Sequence, residues 1–125
     1  IRGDGATKYY VEDDFIPKPD NIISGSLEKE FSEKSSVHKG PVWTTDALFK
    51  ETKDIVNSYI KEGAIAVDMV TSPFLTLASI YNKKAAAVLS VSDNLITGEL
   101  GFTNYKFFQS QLNMVDFAFK TVEKL

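Results

Sequence analysis

The chain has 125 residues, of which 43% are hydrophobic and 25% charged, so it has the composition of a globular protein and the length of one ordinary domain. Its net charge of -3, with both signs interspersed, offers no basic face for a nucleic acid backbone. The absence of cysteine excludes disulfides and zinc-cysteine sites, and the apolar runs are too short to span a bilayer. We expect a single domain over residues 1–125, in the cytoplasm, without a nucleic acid or membrane partner.

The first third of the chain predicts one strand and one helix. Gly3, Gly5 and two prolines surround an extended stretch at 8–11, which predicts a short strand that leads into a loop. Asp20 can then cap a helix over about 21–33.

Two strand-helix pairs are predicted next. Residues 37–45 have the pattern of a strand, and it leads to a helix over about 47–61. Residues 64–70 form a second short apolar run. The Thr-Ser-Pro sequence at 71–73 then supplies an N-cap and a proline at the first position of a helix over about 73–82.

The last third predicts a buried strand and a long helix. Residues 85–91 form an apolar run broken only by Ser90, which is typical of a strand buried on both faces of a parallel sheet. After a polar loop to about Asn104, apolar residues recur at helical spacing. They predict the core-facing stripe of a final helix: Phe108, Leu112, Val115, Phe119 and Val122.

This alternation of strands and helices predicts an α/β fold with a mostly parallel or mixed sheet flanked by helices. In such folds ligands bind at the carboxyl ends of the strands. Three segments follow predicted strands, at residues 44–46, 68–70 and 92–93. We expect the functional site where these three segments meet.

Three segments, in order, resemble signatures of the purine/uridine nucleoside phosphorylase family: VHKGPVWTTDALF at 37–49, GAIAVDMVTS at 63–72 and VSD at 91–93. The opening RGDGAT at 2–7 also fits, so the resemblance runs from residue 1 to about 100. It implies the carboxyl-terminal half of the nucleoside phosphorylase fold. Members cleave the N-glycosidic bond of a ribonucleoside with inorganic phosphate as co-substrate, giving free base and ribose 1-phosphate. The resemblance implies no metal and no organic cofactor.

The resemblance places the proton donor to the departing base at Asp93, with Lys106 as its basic partner. An acid beside the base can neutralise the negative charge that develops there as the bond breaks. The alternative is that Asp93 only caps the turn after a strand. If it is the donor, we expect its carboxyl group close to Met69 and to the Thr44–Thr45 pair.

The resemblance also implies which residues contact the substrate. Those lining the base are Thr44, Thr45, Leu48 and Val67, and those holding the ribose are Asp68 and Met69. The two threonines also fit a plain strand end with satisfied hydroxyls.

One position departs from the family pattern of acid, Met and Glu, because Val70 stands where the Glu grips the ribose hydroxyls. Losing a charged acceptor beside buried hydroxyls costs about 2–4 kcal/mol. The phosphate site is also missing, since Arg2 is the only arginine and no glycine-rich strand-to-helix turn is present. We therefore expect the amino-terminal, phosphate-binding half to be absent and the isolated chain to be inactive.

Three hypotheses follow. The chain is half of an enzyme that binds nucleoside and phosphate together with an amino-terminal half, or a nucleoside-binding module without turnover, or a structural remnant of the same fold. Half of a sheet exposes strand edge and apolar surface. We therefore expect the chain to form homo-oligomers or to associate with an amino-terminal half.

Overall fold

The computed structural model describes residues 1–33 and 36–125. Within them the chain forms a three-stranded parallel sheet, a short two-stranded hairpin and four α-helices, so the predicted α/β class is confirmed. None of the helices in these ranges is long and apolar enough to cross a membrane. The polypeptide divides into two compact units. That residues 1–125 form a single domain stays a prediction.

The first unit, Ile1–Asp20 with His38–Ala86, contains the parallel sheet. Its strands are β1 (Arg2–Gly3), β2 (Val42–Thr45) and β3 (Ala66–Asp68), in the order β1-β2-β3. All neighbours are parallel, so the carboxyl ends of the three strands lie along one edge.

The register of this sheet places polar residues of the three strands next to one another. Thr44 of β2 pairs with Arg2 on one side and with Asp68 on the other. Trp43 pairs with Val67. The residues that follow each strand are therefore neighbours at the carboxyl edge.

Two helices complete the first unit, α2 (Lys53–Lys61) and α3 (Thr71–Ile80). Two 3-10 turns, at Thr7–Tyr9 and Leu48–Lys50, follow β1 and β2. The core contains Trp43, which stacks on the ring of Tyr59 with centroids 4.1 Å apart, and Leu75 of α3.

Several predicted boundaries in this unit were wrong. The strand expected at 8–11 is a 3-10 turn, because the carboxylate of Asp4 accepts the amide of Thr7 and bends the chain there. The strand expected at 37–45 is paired only from Val42. The helix expected from residue 47 begins at Lys53, after an extended Thr52 that follows the second 3-10 turn.

The second unit, Asn21–Val37 with Ala87–Leu125, contains a pair of helices, α1 (Asn21–Ser32) and α4 (Tyr105–Val122). Phe31 meets Phe117 edge to face, with centroids 5.5 Å apart. Leu27, Phe31 and Thr121 are buried. These contacts fix which face of α4 packs on α1.

A short hairpin precedes α4 in the second unit. It consists of β4 (Asp93–Asn94) and β5 (Glu99–Leu100), paired antiparallel. Gly98 adopts a positive φ of 73° at its turn, and the side chain of Asn94 accepts the amides of Ile96 and Thr97. This turn is the polar loop expected after Asp93.

The buried strand expected at 85–91 is not formed. In the described part of the chain no strand pairs with these residues, and Leu89 and Val91 are exposed. An apolar run acquires the burial of a central strand only when strands flank it on both sides. Those neighbours are missing here.

The stripe of α4 predicted to face the core is also exposed. Each of its members is at least half accessible to solvent: Phe108, Leu112, Val115, Phe119 and Val122. The side of α4 that is covered carries Phe117 and the buried Thr121 instead. Helical periodicity identified an apolar face correctly but could not tell which side of the helix meets α1.

Candidate functional site

The carboxyl edge of the parallel sheet gathers acidic and hydroxyl side chains. Asp4 follows β1, Thr45 and Asp46 stand at the end of β2, and Asp68 ends β3. Ligands of α/β sheets bind at this edge. It is the candidate site of the first unit.

Asp68 joins β2, β3 and α3 through its carboxylate. Oδ1 accepts the Thr44 hydroxyl at 2.7 Å, while Oδ2 accepts the amides of Val70 and Thr71 at 3.1 and 2.7 Å and the Thr71 hydroxyl at 2.6 Å. Amides at the start of a helix need such acceptors, and the positive end of the helix dipole favours a carboxylate there. Asp68 therefore stabilises the start of α3. Its role in holding ribose stays a prediction.

The start of α3 differs from its prediction in the same region. The helix begins at Thr71, preceded by Val70, so Pro73 occupies its third position rather than its first. The cap expected from the Thr-Ser-Pro sequence is supplied by the more distant Asp68. Only the folded β3-α3 turn brings that carboxylate within reach.

The two threonines predicted to line the base are buried at the end of β2. Thr44 is 1% exposed, and its hydroxyl donates to Asp68 and accepts the Ser72 amide at 3.0 Å. Thr45 is 4% exposed and accepts the Ala47 amide at 3.2 Å. Both hydroxyls thus contact protein groups, as a plain strand end would have them. Their contact with a base stays a prediction.

Apolar side chains are exposed beyond the ends of β2 and β3. Leu48 and Met69, two of the predicted substrate contacts, are about half exposed, and Val70 is 64% exposed. Val67, a third predicted contact, lies within β3 and is partly buried. Phe49 is 97% exposed, and sequence reasoning gave it no role because its place in a 3-10 turn was not predicted. The contact of Leu48, Val67 and Met69 with a substrate stays a prediction.

Asp4 is a buried acid that sequence reasoning missed. It is 4% exposed, and its carboxylate accepts the Thr7 amide at 2.8 Å and the Thr7 hydroxyl at 3.3 Å. Burial alone would raise the pKa of Asp4, but the Thr7 amide and hydroxyl and the Ser72 hydroxyl together lower it below its ordinary value. The Ser72 hydroxyl lies near this carboxylate, although it forms no well-aligned hydrogen bond with any group in the described chain. The Asp-x-x-Thr spacing was the available signal.

Two side chains, those of Arg2 and Asp46, form hydrogen bonds with the loop after β1. The guanidinium of Arg2 donates from Nε to the Thr7 hydroxyl at 3.1 Å and from Nη1 to three carbonyl oxygens, those of Glu12, Asp13 and Phe15. These bonds hold the sole arginine in the loop. Across the edge, the carboxylate of Asp46 accepts the Gly5 amide at 2.8 Å.

Asp93, the predicted proton donor, belongs to the second unit and opens β4. Its Oδ2 accepts the Ser92 hydroxyl at 2.7 Å, and its Oδ1 accepts the Gly101 amide at 3.2 Å. These are the local bonds that the capping alternative requires. Proton donation, and proximity to Met69 and the Thr44–Thr45 pair, stay predictions.

Lys106, the predicted partner of Asp93, lies in the first turn of α4 and is exposed. Its backbone amide is capped by the side chain of Asn104 at 2.9 Å. A catalytic role for its ammonium group stays a prediction. In the described parts of the chain, no group of three His, Asp or Glu side chains could hold a metal ion.

Comparisons with known proteins bear on this site as a whole. A family model described as the phosphorylase superfamily matches residues 1–118. Curated relatives named purine nucleoside phosphorylase DeoD-type are 37% identical over 84 residues in a Thermoanaerobacter species (strain X514), 33% over 87 in Bacillus cereus (strain ZK / E33L) and 28% over 79 in Roseobacter denitrificans.

These alignments cover 67%, 69% and 63% of this chain, but only 36%, 37% and 34% of the three relatives. The chain thus spans about a third of the length of the curated relatives it matches.

Proposed function

Because the chain belongs to the phosphorylase superfamily, we propose that it supplies the base, ribose and proton-donor side of a purine nucleoside phosphorylase. The reaction transfers the ribosyl group of a nucleoside to inorganic phosphate and releases the free base. The family match over residues 1–118 carries the proposal, and the names of the relatives favour purine over uridine nucleosides. Phosphate is the co-substrate, and no metal or organic cofactor takes part.

The proposed division of labour follows the carboxyl edge. Leu48, Val67 and Met69 contact the base and the sugar through apolar surface, and Thr44 and Thr45 shape the floor from within β2. Asp93 protonates the base as the bond to ribose breaks, and Lys106 assists it. A general acid of this kind contributes about 10²–10⁴-fold to the rate.

The remaining parts of the reaction lie outside this chain in our proposal. Phosphate needs basic groups or helix amides, and Arg2, the only arginine, is already bonded to Thr7 and to three carbonyl groups of its own loop. We place the phosphate site on an amino-terminal half, with which the chain associates in the cytoplasm, or in homo-oligomers that include that half.

A second candidate is a nucleoside-binding or purely structural role without turnover. Two observations favour it: both carboxylate oxygens of Asp68 already accept protein hydrogen bonds, and the neighbouring Val70 side chain has no acceptor for a ribose hydroxyl. A binding module would bind nucleoside whether or not phosphate is present, and a structural remnant would not bind it under either condition.

The test is phosphate-dependent release of base from inosine or adenosine. We expect no measurable release by the isolated chain and weak release when it is co-expressed with the part of the Thermoanaerobacter relative that it does not match. Val70→Glu should then raise kcat/KM by restoring an acceptor for ribose. Release by the isolated chain would overturn the placement of the phosphate site outside it, and no release from an assembled complex would overturn the enzyme proposal.

Asp93→Asn tests the proton donor in the same complex. We expect kcat to fall by about 100-fold or more, with little change in Tm, because Asn can still accept the Gly101 amide but cannot protonate the base. Asp116→Asn is the matched control, since this exposed acid on α4 pairs only with Lys120 among the contacts described for it. A normal kcat combined with a lower Tm in Asp93→Asn would assign Asp93 to capping.

A further inference from the structure

The second unit carries an apolar surface that the described residues leave uncovered. Five side chains of α4, spaced three or four residues apart, form what we call the α4 stripe: Phe108, Leu112, Val115, Phe119 and Val122. Their exposed fractions lie between 50% and 68%. Single apolar residues on a surface are ordinary, but a continuous stripe of five on one helix marks an interaction surface.

Apolar residues on two sides of α4 support this interpretation. One face is already covered, since Phe117 packs on Phe31 of α1 and Thr121 is buried. At 100° per residue, the α4 stripe lies on the opposite side of the helix, about 160° around the axis from Phe117 and Thr121. A helix with apolar side chains on two opposite sides is typical of one packed between two layers rather than one at the surface.

Polar residues mark the side of α4 that does belong in water. Gln109 donates to Asn113 along the helix, and Lys120 pairs with Asp116 at 2.6 Å, all four being exposed. The helix therefore presents a solvated face beside the uncharged α4 stripe. Because α4 separates its polar residues from the α4 stripe, it is not a helix whose whole circumference is suited to solvent.

A second feature of the same unit lacks neighbours. Residues 87–91 have the composition of a buried strand, yet in the described chain no strand pairs with them, and Val91 is 77% exposed. The hydroxyls of Ser90 and Ser110 lie 2.7 Å apart, so this segment runs beside α4. The unit thus offers both a helix face and a strand-forming segment that need a sheet.

The length of the relatives indicates what covers these features. The alignments leave about two thirds of the length of each relative described above unmatched. An α/β domain is built of helices packed on a sheet around one core, so a chain that contains only part of such a domain exposes apolar surface where the rest would pack.

We infer that the α4 stripe is the surface on which the part of the phosphorylase fold that this chain does not contain docks. That part packs its apolar face on the stripe and pairs a strand with residues 87–91. This inference deepens the proposed function by naming where the complementary polypeptide binds. It rests on the proposed function only through family membership, and it holds whether or not the complex turns over nucleoside.

Co-purification tests the inference with the full 125-residue chain. The chain is tagged and co-expressed with the unmatched part of the Thermoanaerobacter relative, and the amount of that polypeptide recovered on the tag is measured. Leu112→Glu places a charge at the centre of the stripe, where burial of an unpaired carboxylate should lower recovery at least about 10-fold. Asn113→Glu, the same charge on the solvated face, should change recovery by less than about 2-fold.

The outcomes separate the possible occupants. Leu112 is already 67% exposed, so its replacement should leave the Tm of the isolated chain unchanged, and a fall in Tm would show that the stripe packs within the chain. No recovery with the wild-type chain, or equal recovery with both variants, overturns the inference. A dimer of the chain alone in sedimentation, lost in Leu112→Glu, would assign the stripe to a second copy. Normal recovery without phosphorolysis would refute only the proposed function.

Discussion

The two units of the chain satisfy their side chains in opposite ways. At the sheet edge of the first unit, the acids Asp4, Asp46 and Asp68 each accept hydrogen bonds from groups of the same unit. In the second unit, α1 covers one face of α4 while the α4 stripe stays in water. The edge acids of the first unit therefore find their hydrogen-bond partners within that unit, whereas the α4 stripe of the second unit lacks apolar partners.

The difference reflects what each kind of contact requires. Hydrogen bonds at a strand end join groups a few residues apart or on neighbouring strands, and these groups are all present in the first unit. Burial of a wide helix face requires a whole layer of other secondary structure. The polar edge of the first unit is thus ordered by contacts within that unit, while a helix face of the second unit stays uncovered.

The largest effect on this comparison is expected at Asp68. Asp68→Asn removes the charge that three groups at the start of α3 and the Thr44 hydroxyl share, and we expect it to destabilise the isolated chain by about 2–3 kcal/mol. The corresponding fall in Tm is about 8 °C or more. Thermal unfolding without nucleoside measures it.

Asp46→Asn is the matched control for this experiment. It lies at the same edge but is exposed, and it accepts one amide, that of Gly5. We expect Asp46→Asn to lower the free energy of unfolding by less than about 1 kcal/mol. Equal Tm values for both variants and the wild type would show that Asp68 does not stabilise the start of α3, and ribose binding would remain as its proposed role.

The sequence predicted those features that depend on short-range patterns. The strands ending at Thr45 and Asp68 and the helices α1 and α3 were found within a few residues, because apolar runs and turn signals determine them locally. The family resemblance over the TTDALF and VDMVTS segments was likewise confirmed by the match to residues 1–118.

The features it missed depend on the folded backbone. Residues 85–91 have the composition of a central strand, but a strand exists only with neighbours to pair with. The α4 stripe and the face containing Phe117 have the same helical period, so only packing against α1 distinguishes them. The role of Asp68 at α3 and the burial of Asp4 arise from turns that no periodicity records.

A second prediction compares the units through two glycines. A Cβ at Gly3 would clash with Trp43 Nε1 and lie 2.8 Å from the Thr44 carbonyl oxygen, whereas one at Gly25 of α1 meets nothing within 4 Å. Gly3→Ala should therefore destabilise by about 1–3 kcal/mol through overpacking. Gly25→Ala should stabilise by about 0.5–1 kcal/mol through helix propensity.

Urea unfolding of the two variants measures both changes. Because Trp43 stacks on Tyr59, the Gly3 variant should also alter tryptophan fluorescence in the folded state. Similar stability changes at the two glycines would mean that the first unit is no more tightly packed than the second.

Among the three positions expected to destabilise the chain, Asp4 has the smallest effect, and that effect depends on pH. The folded state lowers the pKa of Asp4 below that of the unfolded chain, about 3.9. Its charged form therefore stabilises the fold above that pH, and this contribution is lost as the pH falls through the folded-state pKa. Asp4→Asn should destabilise by about 1–2 kcal/mol at pH 7, because a neutral amide accepts the Thr7 amide less strongly.

The difference in the free energy of unfolding between the wild type and Asp4→Asn should narrow below pH 4, since the wild-type carboxyl group is then becoming neutral as well. Asp14→Asn, at an exposed acid in the loop after β1, should match the wild type at every pH. Urea unfolding between pH 3 and 7 checks this. A gap that stays constant through acid would mean that Asp4 stabilises the loop through shape alone. A gap that closes would show that its charge holds Thr7, and with it the edge of β1, in place.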